Sequence, residues 1–169
     1  MKKLDKISIG DVLAFNLNNG FYRVFICTKR EIERSPHYYI FSCLNYNSKR
    51  VPTVAEVLEC DFFGAITRIT NYLPYSDAEN EKIWSFYPNI KPNILGNYGI
   101  LILRKDLTKF TDRIEKICTF KIIENLDLYG TGSMNASDWD YINDFFEEDY
   151  KKILLERGQN LFKVGAIVY

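Results

Sequence analysis

The chain has 169 residues, with 22 Lys or Arg balancing 22 Asp or Glu, so its net charge is zero. That balance excludes a protein whose overall field steers nucleic acid or an anionic membrane toward it. A chain of this length buries about 70 % of its unfolded surface, enough for one domain spanning 1–169 without disulfides or metals as staples.

The charge is unevenly spread. Residues 1–50 hold nine Lys or Arg against four Asp or Glu, an excess of +5, so the remainder carries −5. The aromatic fraction is 15 %, with 12 Tyr, 12 Phe and 2 Trp. Some of those tyrosines are expected half exposed, ring down and hydroxyl out, as in a contact surface or a β-sheet. The four cysteines, Cys27, Cys43, Cys60 and Cys118, show no C-x-x-C spacing. The chain opens on Met1-Lys2-Lys3-Leu4-Asp5 without the apolar stretch of a signal peptide. Free thiols and a cytoplasmic location are the expectation. No apolar run is long enough for a membrane span.

In chain order, residues 11–17 read as a strand, Asn18-Asn19-Gly20 as a turn that tolerates positive φ, and residues 21–28 as the returning strand of a hairpin. Ser35-Pro36 breaks the chain, and residues 37–46 supply a third strand. Thr53 with Glu56 three residues on is a capping-box signature, which predicts a short helix from 54 to about 60. Residues 62–69 return to strand. Residues 70–97 form a long connection, with Ile83, Trp84, Phe86 and Tyr87 expected to pin it to the body. Residues 99–103 read as a strand, 106–117 as a helical turn or two, and 118–124 as an alternating strand. The spacing of Trp139, Ile142, Phe146, Tyr150, Ile153 and Leu154 predicts one long helix over 137–157. Asp138 and Asp140 suit its start, Lys151, Lys152 and Arg157 its end, and Gly158 its stop. Residues 161–168 close with a strand. The expected architecture is α+β: a strongly bent antiparallel sheet, with a barrel-like N-terminal part as one form of that bend, and one major C-terminal helix packed on it.

Motifs for chemistry are sparse. A Cys–His nucleophilic pair would need His37 with Cys27 or Cys43, yet both thiols fall inside apolar strands, where they are inert. Single scattered Cys and His residues do not make the paired short spacings of a zinc site. Gly130-Thr131-Gly132-Ser133 lacks the Lys and spacing of a phosphate loop. No catalytic residue, cofactor or metal is therefore expected. Tyr22, Arg23, Phe25, Lys29, Arg30, Arg34, His37, Tyr38 and Tyr39 interleave rings and cations, as single-stranded nucleic-acid platforms do, and give a small nucleic-acid-binding module as the alternative. An enzyme of another type would need titratable groups converging in a cleft. On the last helix, Asp140, Asp144, Glu147 and Glu148 recur at steps of three and four and line an acidic stripe. A solvated helix side is the bland account of that stripe. The functional one is a docking surface for a basic protein partner.

The stretch Ile9-Gly10-Asp11-Val12-Leu13-Ala14-Phe15-Asn16-Leu17, followed by Asn19-Gly20 and Phe21-Tyr22-Arg23-Val24, resembles the opening of the immunity protein 26 family of bacterial polymorphic toxin systems. Members begin with a Gly-Asp-Val/Ile-Phe-Ala strand, a Gly-containing turn and an aromatic-rich second strand. Gly10, Asp11, Val12, Ala14, Leu17 and Gly20 match that pattern. Asn16 stands where the family often has Pro, and Leu13 where it often has Phe. The resemblance covers roughly residues 1–45. It implies a non-enzymatic cytoplasmic protein that neutralises a cognate toxin by direct binding, and it transfers no binding residue.

Overall fold

Alternating side chains and an Asn-Asn-Gly corner produce the N-terminal hairpin. Strand β1 (Asp11–Asn16) pairs antiparallel with β2 (Tyr22–Glu31) in the register Val12 to Ile26 and Asn16 to Tyr22. Between them Gly20 takes φ +79, and the Leu17 and Phe21 backbones close the turn with a 2.8 Å hydrogen bond. The computed structural model describes residues 6–33, 35–68, 93–96, 99–121, 126–127, 133–148, 150–156, 160–166 and 168.

The remaining strands are β3 (Tyr38–Cys43), β4 (Asp61–Arg68), β5 (Asn93–Gly96), β6 (Gly99–Leu103), β7 (Ile114–Thr119), β8 (Leu126–Asp127), β9 (Ser133–Asn135) and β10 (Asn160–Lys163). One sheet runs β7-β1-β2-β3-β6-β9, and the second runs β10-β4-β5-β8. In the first sheet five strands are antiparallel neighbours, and the short β9 joins β6 in parallel. Register shifts between Val12 and Leu13 and between Cys27 and Lys29 bend it, because each extra residue increases the local twist. Among the described residues its edges do not meet, so the bend does not close into a barrel. The sheets join where Leu44, just past β3, bridges Phe62 of β4.

Among the described residues the α+β fold has four short helices: α1 (Val54–Glu59), α2 (Arg104–Leu107), α3 (Trp139–Glu147) and α4 (Tyr150–Glu156). The capping box forms at α1 as expected: Thr53 accepts from the Glu56 backbone N–H, and the Glu56 carboxylate accepts from the Thr53 N–H at 2.9 Å. The long C-terminal helix is divided. Glu148 is extended at φ −68 and ψ 173, ending α3, and α4 starts at Tyr150. Lys152 consequently lies inside α4, 3.9 Å from Glu156, instead of at the end of one long helix. The segment read as helical over 106–117 is α2 and a 3-10 turn up to Arg113, after which Ile114 enters β7. Within the connection read over 70–97, residues 93–96 are strand β5. Its proposed anchors Ile83, Trp84, Phe86 and Tyr87, the loop residues 130–132, and the helix stop at Gly158 lie outside the described residues.

Both faces of the central hairpin are buried. Leu13, Phe15, Phe25, Cys27 and Phe41 face a cluster completed by Ile142, Phe145 and Phe146 of α3 and by Tyr150. Val12, Ala14, Val24 and Ile26 face a second cluster with Val57 of α1, Phe62 and Val164. On β1 the larger side chains Leu13 and Phe15 pack against α3, and the smaller Val12 and Ala14 are buried as well, because the second sheet and α1 cover them. Each Phe buried in this way stabilises the fold by about 1.5–3 kcal/mol.

Gly10 and Asp11 lock this wall at its end. Gly10 has φ +88, and a Cβ there would lie 1.8 Å from the Phe120 carbonyl oxygen. The fully buried Asp11 carboxylate accepts from the Ser8 N–H at 2.9 Å and from the Thr119 hydroxyl at 2.7 Å, and pairs with Lys116 at 2.7 Å.

Candidate functional site

Helix α3 begins because Asp138, in an extended conformation, accepts the Tyr141 N–H at 2.9 Å and places a carboxylate at the positive end of the helix dipole. Ile142, Phe145 and Phe146 make its inner stripe, and Phe146 lies 4.9 Å from the Phe25 ring between centroids. Phe145, which the helical spacing above passed over, belongs to the same core.

The helix is also clamped to the hairpin turn. The Asn18 N–H donates to Asn143 Oδ1 at 2.9 Å. Asn18 Oδ1 accepts from Arg113 at 2.7 Å and from the Trp139 indole at 3.1 Å, and the Arg113 guanidinium stands 4.9 Å from the Trp139 ring centre. The sequence marks Asn18 only as a turn former. Its bridging role depends on two elements far apart in the chain, and local pattern carries no trace of it.

The rigid inner face presents an acidic outer one. Asp140, Asp144, Glu147 and Glu148 are all exposed, with Tyr141 46 % exposed among them. Asp140, Asp144 and Glu147 share the outward side of α3, and Glu148 continues it at the C-cap. No Lys or Arg of the described residues forms an ion pair with any of these four. The arrangement costs stability: like charges at three- and four-residue steps oppose one another by roughly a few tenths of a kcal/mol per pair. Glu147 and Glu148 also sit at the negative end of the dipole, with no basic residue in the last turn.

The charge facing that helix end comes from inside. Arg23, only 8 % exposed, donates from Nη2 to the Phe146 carbonyl at 3.3 Å and lies 5.3 Å over the Tyr150 ring. Its Nε and Nη1 lack hydrogen-bond partners, and burial lowers its pKa against the opposing effect of Tyr150.

The same burial withdraws part of the aromatic–basic platform that the alternative reading placed on the N-terminal strands. Arg23, Phe25 and Tyr39 are buried, and Arg34 lies outside the described residues. Lys29 remains over Tyr38, 6.0 Å from the ring centre. Tyr22, Lys29, Arg30, His37 and Tyr38 are only partly buried, because alternate strand residues point to opposite faces.

His37 is half buried beside an open cleft of ≈ 470 Å³, where its described neighbours are Ser35, Pro36, Leu103, Arg104, Lys105 and Thr108. The cleft brings no thiol to it. Burial, first of all, pushes the Cys27 thiol up to about 12, aided by the Asp11 charge. Burial likewise raises Cys43, and it takes Cys60 to about 11. The four thiols are free. The described residues contain no cluster of three or more His, Cys, Asp or Glu placed to hold a metal, and no helix long and apolar enough to cross a membrane.

Comparison with family models, with curated proteins and with solved structures found no match.

Proposed function

We propose that this chain is a non-enzymatic cytoplasmic binding protein of the immunity type, which neutralises a cognate bacterial toxin by seating a basic surface of it on α3. The observation that carries the proposal is the unpaired acidic face of a helix whose inner side is fixed in the core. Asp140, Asp144, Glu147 and Glu148 spend folding stability on mutual repulsion, which a basic partner would relieve. Such a surface raises the rate of encounter and selects the sign of the partner, while Tyr141 offers a ring for the contact centre. The N-terminal resemblance to immunity protein 26 supplies the class of partner. The residues that carry it, Gly10 and Asp11 above all, serve the scaffold and leave the target to the helix.

The test is rescue. The reading requires a toxic domain encoded beside this chain; cells producing that domain should survive when the chain is co-produced, and the two should elute as one complex. In that complex, Asp144→Lys with Glu148→Lys should slow association about tenfold or more at low salt and flatten its dependence on ionic strength. Survival without complex formation, or an association rate untouched by the reversal, would remove α3 as the docking face.

A further inference from the structure

We infer that the cleft beside His37 is a binding site for a small phosphate-bearing molecule, independent of the acidic helix. Four observations converge. The cleft gathers the basic side chains of His37, Arg104 and Lys105 with the hydroxyl-bearing Ser35 and Thr108. Its elements are held together, because the Arg104 N–H donates to the His37 carbonyl at 2.9 Å and Tyr38 pairs with Leu103 across β3 and β6. No described carboxylate forms an ion pair with His37, Arg104 or Lys105. Asp106, the adjacent acid in sequence, is buried and engaged by Lys109 at 2.6 Å.

The chemistry follows from the donors. A guanidinium fork grips carboxylate or phosphate oxygens alike, but a guanidinium beside an ammonium matches the charge of a phosphate monoester, about −1.5 to −2, better than the single charge of a carboxylate. The ≈ 470 Å³ is far larger than a phosphate ion needs and falls in the range of small-molecule sites, while Pro36 and Leu103 offer apolar walls. The ligand is therefore a phosphate ester with a ring or short apolar body.

His37 is the chain's one imidazole, so its ring proton resonances report on the cleft without assignment. The full chain is titrated with inorganic phosphate, phenyl phosphate, benzoate and a short single-stranded oligonucleotide. Phosphate and phenyl phosphate should move the His37 resonances saturably, phenyl phosphate binding about tenfold tighter for its buried ring. Arg104→Gln with Lys105→Gln should abolish both shifts while leaving the far-ultraviolet spectrum and thermal midpoint unchanged; both side chains are exposed. Equal binding of benzoate and phenyl phosphate, saturation by the oligonucleotide alone, or shifts that survive the double substitution would each overturn the assignment.

Discussion

Gly10 and Gly20 both have positive φ, but only Gly10 is also enclosed. An alanine at 20 meets open space and suffers the backbone strain alone, about 1 kcal/mol. An alanine at 10 adds a clash with the Phe120 carbonyl, which cannot retreat without breaking the bond that the Phe120 N–H makes to the Gly10 carbonyl. Chemical denaturation should therefore show Gly10→Ala costing about 2–4 kcal/mol and Gly20→Ala about a quarter to a half of that. Arg23 poses the opposite case, a buried cation with two unsatisfied nitrogens. Arg23→Met keeps the stem and removes the desolvated charge, so the thermal midpoint should hold or rise, whereas Arg23→Ala should lower it by opening a void against Tyr150. A midpoint that falls equally for both would mean that the guanidinium's bond to Phe146 outweighs its burial.

At the scale of elements, α1 rests on an exposed cluster with a definite pH response. The Arg50 hydrogen bond, and after it the Thr53 backbone N–H, lower the Glu56 pKa from 4.5 to about 2. A carboxylate depressed in the folded state stabilises above its unfolded pKa and loses that contribution as pH falls through the folded one. Stability from this box is thus complete above about pH 4.5 and lost toward pH 2. Thermal midpoints measured across that window should drop less steeply in Glu56→Gln than in the parent chain.

The box was legible because Thr53 and Glu56 act within one turn, and so was the hairpin around Asn18-Asn19-Gly20. The break at Glu148 was not. The apolar spacing runs unbroken from Trp139 to Tyr150, with neither Gly nor Pro between them. What accompanies the end of α3 is acidic charge at the negative pole of its dipole, with Tyr150 carried into the core beside Phe146. Ile114 to Ile117 misled for a related reason. Their charge pattern suits a helix, but pairing with β1 decides the conformation, and that partner lies a hundred residues earlier in the chain. Of the candidate site, the acidic stripe could be read from spacing. The Asn18 clamp and the company of Arg104 and Lys105 around His37 arise only from tertiary contacts.

Across the whole molecule, a zero net charge conceals two local surpluses. The outer side of α3 is acidic, and the cleft beside His37 is basic. The binding readings assign different ligands to these regions, so their tests separate. Charge reversal on α3 should leave the His37 resonances in place, and loss of Arg104 and Lys105 should leave association with a basic partner unchanged.

The hairpin of β1 and β2 is a party wall between two rooms. Val12 and Ile26 furnish one side, Leu13 and Phe25 the other, so neither room can be emptied while the wall stands, nor survive its fall. Heating should accordingly collapse both packed clusters together, giving one calorimetric transition whose van't Hoff and calorimetric enthalpies agree. Backbone amides along the wall should be the last to exchange with deuterium, opening only when everything else has.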